Sequence, residues 1–127
     1  AVSLARAIIV VGAFELEVAG TGTFGRPRRP RVLWAGIAPS RPLLELQRKT
    51  AAVLRAEGID FDDKRYSPHL TLGRVKAPKH LDALVAELDQ QKETRFGRVH
   101  VREVELIQSE LRPEGARHTV LNRVGLA

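Results

Sequence analysis

A histidine and a threonine stand two positions apart in a short apolar segment, residues 66–74, which reads YSPHLTLGR. If this segment is an extended strand, His69 and Thr71 project from one face while Leu70 and Leu72 point to the other, toward a core. Neutral imidazole accepts a proton near pH 7, imidazolium donates one, and a hydroxyl can donate a hydrogen bond to a phosphoryl oxygen. The pair therefore carries the groups that phosphate-ester chemistry needs.

The neighbours of this pair decide how much weight it carries, because H-x-T also arises by chance and a single histidine on a strand is usually structural. Basic residues bracket the strand, with Arg65 before it and Arg74 and Lys76 after it. Arg74 could offset negative charge on a reacting phosphate, or it could be an ordinary exposed arginine at a strand end. Tyr66 could stack on a base, although packing beside the strand is the simpler interpretation.

Three stretches, in this order, resemble the later part of the two-histidine phosphoesterases. Residues 27–36, PRRPRVLWAG, are similar to the proline- and arginine-rich loop and following strand of that family. Residues 66–74 resemble its second H-x-T-x motif, and residues 109–121, SELRPEGARHTVL, resemble its closing hairpin, where the family often has tyrosine in place of His118. The similarity is specific to the RNA 2',3'-cyclic phosphodiesterases once named 2'-5' RNA ligases.

The resemblance implies a mechanism in which two histidines flank a cyclic phosphate. One activates water, the other protonates the departing ribose oxygen, and the motif threonines hold nonbridging oxygens. By position, His69 would be the second-motif histidine and the proton acceptor, and Thr71 its phosphate-binding partner. Arg74, Tyr66 and Arg29 are the candidate substrate-binding residues. The implied reaction opens the 2',3'-cyclic phosphate of an RNA end or a cyclic nucleotide to a 2'-phosphomonoester, without metal or cofactor, with a weak reverse 2'-5' joining activity.

The departure from the family pattern concerns the number of motifs. His80, His100 and His118 are not followed by threonine at the second position, so the sequence holds one H-x-T-x motif. The chain starts at Ala1 and aligns with the later part of the family, so we expect the first motif in a preceding segment. The alternative is a noncatalytic RNA-end or nucleotide-binding module that keeps one motif. The reading frame upstream of Ala1 would separate the two.

Composition sets broad limits on class and location. A chain of 127 residues, 43% hydrophobic and 28% charged, predicts one globular domain over residues 1–127, as the later part of a phosphoesterase domain. No apolar run approaches the roughly 18 residues of a membrane helix, so no membrane partner is expected. Cysteine is absent, which excludes disulfides and thiolate metal sites and fits the cytoplasm. Histidine and carboxylate spacings typical of metal ligands are lacking as well.

The net charge of +6 favours a polyanionic partner. Arginines cluster in one proline-broken loop, at positions 26, 28, 29 and 31. Aromatic residues make up only 5% of the chain, which disfavours a broad base-stacking platform. We therefore expect short RNA ends or single nucleotides as ligands, bound by a monomer.

Periodicity predicts an α+β fold of antiparallel sheets with helices on the outer face, which the resemblance extends to a pseudo-symmetric, two-lobed architecture. One predicted helix ends near residue 11, a second runs from an N-cap at Ser40 to Gly58, and a third begins near Pro78. The predicted strands cover residues 14–18, 31–37 and 69–74 and a hairpin of residues 99–111 and 119–126. Residues 20–25, GTGTFG, are expected to form a flexible turn.

Overall fold

The computed structural model describes residues 2–26, 29–62, 64–77 and 79–127. It confirms the α+β class with antiparallel sheets, and the chain divides into two compact units. The elements in chain order are α1 (Val2–Ile9), β1 (Phe14–Arg26), β2 (Arg29–Ile37), α2 (Arg41–Ala56), β3 (His69–Arg74), α3 (Leu81–Gln90), β4 (Arg95–Val101), β5 (Glu103–Arg112) and β6 (Gly115–Gly125).

The first unit comprises residues 2–14, 41–62 and 100–127. Helix α1 packs on α2, and Ile8 of α1 is fully buried. Leu46 and Ala51 are the buried residues of α2. The helix begins directly after Ser40 and ends before Gly58, whose left-handed φ of 71° suits a residue without a Cβ. Strands β5 and β6 form the predicted hairpin, with Arg112 opposite Gly115.

The second unit holds a four-stranded antiparallel sheet of order β3-β2-β1-β4, together with α3. Strand β2 is an inner strand, between β3 and β1, and its continuous apolar character suits that position. The Thr21 hydroxyl of β1 donates a 2.6 Å hydrogen bond to the Leu88 carbonyl of α3. Thr21 pairs with Ala35, so both side chains project from one face of the sheet. Trp34 is adjacent to Ala35 in β2 and therefore projects from the other face. Helix α3 therefore covers the sheet face opposite to the one that carries Trp34.

The described ladders of this sheet have register shifts at three places, one between Val18 and Thr21 and two β-bulges that bear on the face of His69. On β3, Thr71 pairs with Trp34 and Gly73 with Leu33, so Leu72 is the extra residue. On β2, Val32 pairs with Phe24 and Pro30 with Gly25, so the extra residue is Arg31. Each bulge reverses the alternation of the residues beyond it.

The predicted turn at residues 20–25 is wrong, because these residues continue β1 to Arg26. Thr21 and Thr23 are β-branched and suit a strand, while the glycines between them leave space for neighbours. An added Cβ on Gly22 would lie 2.2 Å from Cζ2 of Trp34. Glycine here therefore admits a cross-strand indole and does not break the strand.

The predicted strand over residues 99–111 is also wrong, since it is divided at Arg102 between two sheets. The apolar alternation slips by one position there, from Val99 and Val101 to Val104 and Leu106. Residues that precede the slip belong to β4, which borders β1, and residues that follow it pair with β6. A change of phase in a period-2 pattern was the signal of this break.

Leu70 and Leu72 do not point into a core, contrary to prediction. They are 47% and 61% exposed. Strand β3 lies at the edge of its sheet, and Leu72 is the bulged residue. The contact of α3 with the sheet falls on β1, so the helix leaves the β3 end of that face less covered.

Helix α3 begins at Leu81 with His80 as its N-cap residue, while the start predicted near Pro78 lies outside the described residues. Among the described helices, none has both the length and the apolar character that crossing a membrane requires. That residues 1–127 form a single domain stays a prediction.

The contact between Gly22 and Trp34 predicts a stability difference between two glycines of this sheet. Gly22→Ala should lower the free energy of unfolding by about 1–3 kcal/mol, because the indole must move. Gly73→Ala is the matched control, since its Cβ would meet nothing within 4 Å. Its free energy of unfolding should stay within about 0.5 kcal/mol of that of the unsubstituted protein. The midpoints of urea unfolding measure both differences in stability, provided that the dependence of the unfolding free energy on urea concentration is the same for the two variants. Equal midpoints would contradict the packing described here.

Candidate active site

The His69 imidazole is held by a backbone carbonyl. Its Nδ1 lies 2.6 Å from the carbonyl oxygen of Ser67, two residues before it in the chain and just before the start of β3. A carbonyl oxygen only accepts hydrogen bonds, so Nδ1 carries the proton and donates it. In the neutral ring this leaves the lone pair on Nε2, which is the arrangement that a proton acceptor requires.

Aromatic packing orients the same ring. The Phe24 ring lies 4.8 Å from the His69 ring, centroid to centroid, at an interplanar angle of 87°. Trp34 lies 5.5 Å from Phe24 on its other side. This edge contact suits the quadrupole of the benzene ring and restrains rotation of the imidazole about its χ angles. Phe24 therefore positions His69 without taking part in proton transfer.

Thr71 and Arg74 lie on the His69 face of the sheet. His69 pairs with Gly36, Thr71 with Trp34 and Arg74 with Val32, and directly paired residues of antiparallel strands project to the same side. Strict alternation from His69 would place Arg74 on the opposite face. The bulge at Leu72 reverses this and aligns an imidazole, a hydroxyl and a guanidinium at intervals of roughly 7 Å.

Arg29 reaches this face by the second bulge. Arg29 pairs with Arg26, which follows Phe24 by two positions on β1 and therefore projects with it. Both arginines line a pocket of about 620 Å³ at the end of the β1–β2 hairpin. The other lining residues are Gly25, Pro30, Arg31, Val75, Lys76, Ala77 and Leu81. His69, Thr71 and Arg74 are not among them, so Arg29 belongs to a separate part of the surface.

Tyr66 lies before β3 and is 41% exposed. Partial burial raises the pKa of its hydroxyl above the usual 10.0. The phenol is therefore neutral at physiological pH and keeps its proton for donation. Stacking of Tyr66 on a base stays a prediction.

The remaining histidines are exposed, and none of them has a threonine at the second following position. His80 and His118 are exposed, as expected for surface residues. His118 belongs to the β5–β6 hairpin of the other unit, where its Nδ1 lies 2.8 Å from the Ser109 hydroxyl. In the part of the chain that the structure describes, no group of three or more histidine, cysteine or acidic residues could hold a metal ion.

Sequence reasoning missed Phe24 and undervalued Lys76. Phe24 fell within the predicted turn, although the alternation of Thr21 and Thr23 with Gly22 and Phe24 is a period-2 signal. Lys76 stands far from the arginine cluster in sequence, and only the pairing of β3 with β2 brings it to the pocket. Of the predicted cluster, Arg28 lies outside the described residues.

Comparison with known proteins finds a family profile and named relatives that resemble this chain. Residues 2–113 match the sequence profile of the 2'-5' RNA ligase superfamily. The chain is 36% identical over 106 residues to a protein of Methanothermobacter thermautotrophicus named RNA 2',3'-cyclic phosphodiesterase, covering 84% of this chain and 57% of that relative. A protein of the same name from Aeropyrum pernix is 33% identical over 115 residues, with 90% and 65% covered.

A solved structure shows the same fold. A crystal structure of a Thermus thermophilus protein superposes with a TM-score of 0.65 at 30% identity, covering 91% of this chain and 61% of the other. The chain thus spans a little under two-thirds of the length of the proteins it matches. From the profile match over residues 2–113, the chain belongs to the 2'-5' RNA ligase superfamily.

Proposed function

We propose that the full-length protein is an RNA 2',3'-cyclic phosphodiesterase of the two-histidine type. The observation that carries the proposal is the His69 imidazole, whose Nδ1 is engaged with the Ser67 carbonyl and whose Nε2 is left for proton transfer. Thr71 and Arg74 on the same face supply a hydroxyl and a positive charge for phosphate oxygens. The names of the relatives from Methanothermobacter thermautotrophicus and Aeropyrum pernix support the substrate class.

In the proposed reaction, water attacks the phosphorus of a terminal 2',3'-cyclic phosphate and gives up a proton to Nε2 of His69. The bond between phosphorus and the 3' oxygen breaks, and that oxygen takes a proton from a second histidine, which we expect in a preceding H-x-T-x motif. The product is a 2'-phosphomonoester beside a 3' hydroxyl. Thr71 would donate to a nonbridging oxygen, and Arg74 would stabilise the negative charge that builds up on it.

The partner in this proposal is RNA with a cyclic phosphate end, or a cyclic nucleotide, and the location is the cytoplasm. The net charge of +6 supports a polyanionic substrate. The absence of cysteine supports a reducing compartment. The 2'-5' joining activity would follow the same steps with a 5' hydroxyl in place of water, which leaves a 2'-5' phosphodiester beside a 3' hydroxyl.

His69→Ala in the full-length protein should lower kcat for hydrolysis of a nucleoside 2',3'-cyclic phosphate by about 10²–10⁴-fold, the usual contribution of a general base. KM should change little, because the phosphate contacts remain. His100→Ala is the control, since His100 is exposed and is not part of an H-x-T-x motif. If His69→Ala kept more than about a tenth of the rate, His69 would not be a proton-transfer group.

Thr71 allows a test of hydroxyl binding by two variants of similar size. Thr71→Val removes the donor and should lower kcat/KM by about 10–100-fold, the cost of a hydrogen bond to a charged group. Thr71→Ser keeps the hydroxyl and should recover most of the activity. The hydroxyl has no role in the reaction if both variants lose the same amount.

The hydrogen bond from Nδ1 of His69 to Ser67 predicts the tautomer of the neutral ring. Nitrogen-15 correlation spectra of the neutral ring should show a pyrrole-type Nδ1 and a pyridine-type Nε2 for His69. Exposed His100, which has no such partner among the described residues, serves as the reference. The opposite tautomer at His69 would remove the lone pair from Nε2 and with it the proposed base.

A further inference from the structure

We propose that the pocket at the β1–β2 hairpin is a second phosphate subsite, which holds the RNA backbone upstream of the cyclic phosphate. The inference rests on the proposed function and deepens it, because it makes an oligonucleotide end a better substrate than a mononucleotide. The occupant is a single RNA strand that begins at His69 and extends toward the β1–β2 end of the sheet, where the pocket lies.

The charges of the pocket select an anion. Among the described residues that line it, Arg26, Arg29, Arg31 and Lys76 are cationic and none is acidic. Within the described part of the chain, none of the four forms an ion pair. The opposite edge of the same sheet differs, since Arg95 and Arg98 of β4 are paired with glutamates of β1. Cations without carboxylate partners, gathered in one concavity, attract phosphate.

The size and lining of the pocket suit more than an inorganic ion. Its volume of about 620 Å³ falls in the usual range of small-molecule sites. Pro30, Val75, Ala77 and Leu81 supply apolar surface beside the cations, which can cover the face of a sugar or a base. The pocket can therefore hold a nucleotide unit, with its phosphate among the arginines.

The hairpin that forms the pocket is closely packed. An added Cβ on Gly25 would lie 2.9 Å from the Arg29 carbonyl oxygen, at a φ of 116° that favours glycine. On the other side, the Val75 amide donates a 2.9 Å hydrogen bond to the Arg31 carbonyl and brings Lys76 to the pocket. Arg26 and Arg29 thus project from paired backbone, and the backbone between Arg31 and Lys76 is held by the bond to Val75, which lowers the entropy lost when these cations bind a ligand.

The spacing along the sheet determines what can reach both sites. His69 pairs with Gly36, and Arg31 lies five positions before Gly36 on β2, which places the pocket roughly 17 Å from the imidazole. Arg74, opposite Val32, stands between them. About five stacked nucleotides at 3.4 Å each span this distance, and an extended strand needs fewer. A mononucleotide at His69 leaves the pocket empty, whereas a hexanucleotide fills both.

The test compares Arg31→Gln/Lys76→Gln with Arg48→Gln/Arg117→Gln, a control that removes the same two charges from exposed positions of the other unit. Binding of a fluorescein-labelled hexanucleotide with a 2',3'-cyclic phosphate end is measured by anisotropy in a His69→Ala background, so that the probe is not consumed. The pocket variant should bind roughly tenfold more weakly, the factor for two lost ion pairs. Its slope of log K against log salt should be flatter by about 0.7 for each lost phosphate contact. The control should keep the original slope.

Activity with the His69 side chain restored supplies the second readout. The ratio of kcat/KM for the hexanucleotide to that for a nucleoside 2',3'-cyclic phosphate should fall in the pocket variant and hold in the control. Unchanged hexanucleotide binding, or equal losses for both substrates, would overturn the subsite. Inorganic phosphate that displaces the hexanucleotide as well as unlabelled RNA does would also overturn it, in favour of a small-anion site. If binding responds as expected while no cyclic phosphate is hydrolysed, the subsite stands and the proposed activity fails.

Discussion

The pairing of β3 with β2 is the constraint on which the candidate site depends. It places His69 opposite Gly36 and Thr71 opposite Trp34, and then, past one extra residue, Arg74 opposite Val32. Without the bulge in β3, the Arg74 side chain would project from the face of the sheet on which α3 lies. Because side chains alternate with a period of two, a single inserted residue is enough to change the face of everything after it. The chemistry of this surface is therefore a matter of register as much as of residue type.

The aromatic cluster beside the imidazole follows from the same register. Trp34 projects from the central strand across Gly22 of β1, and Phe24 fills the space between the indole and His69. On an edge strand, the His69 side chain would otherwise gain little restraint from its neighbours. The edge contact with Phe24 and the hydrogen bond to the Ser67 carbonyl act on different parts of the ring. Together they fix both its orientation and its tautomer, which is the preorganisation that proton transfer requires.

The basic residues of the chain fall into two kinds. Several on strands and helices are paired with acidic neighbours, as Arg95 is with Glu17 and Arg123 with Glu105. Exposed pairs of this sort contribute little to stability, because solvent screens them. The cations of the hairpin pocket have no carboxylate partners among the described residues. Their positive potential is therefore not neutralised and can attract an anionic ligand. The position of the basic residues that lack acidic partners therefore indicates where an anion would bind better than the net charge of +6 does.

The sequence by itself determined what depends on neighbours close along the chain. The shared face of His69 and Thr71, the apolar face of α2 with its end at Gly58, and the turn between β5 and β6 all follow from local periodicity and from glycine and proline. Tertiary structure decided the rest. Strands remote in sequence pair in a register that contains two bulges near His69. This pairing brings Phe24 into contact with His69 and places the side chains of Arg29 and Arg74 on one face. It also brings Lys76 to the pocket that Arg26 lines. No local pattern carries that information, since the position of a bulge is set by packing against the partner strand.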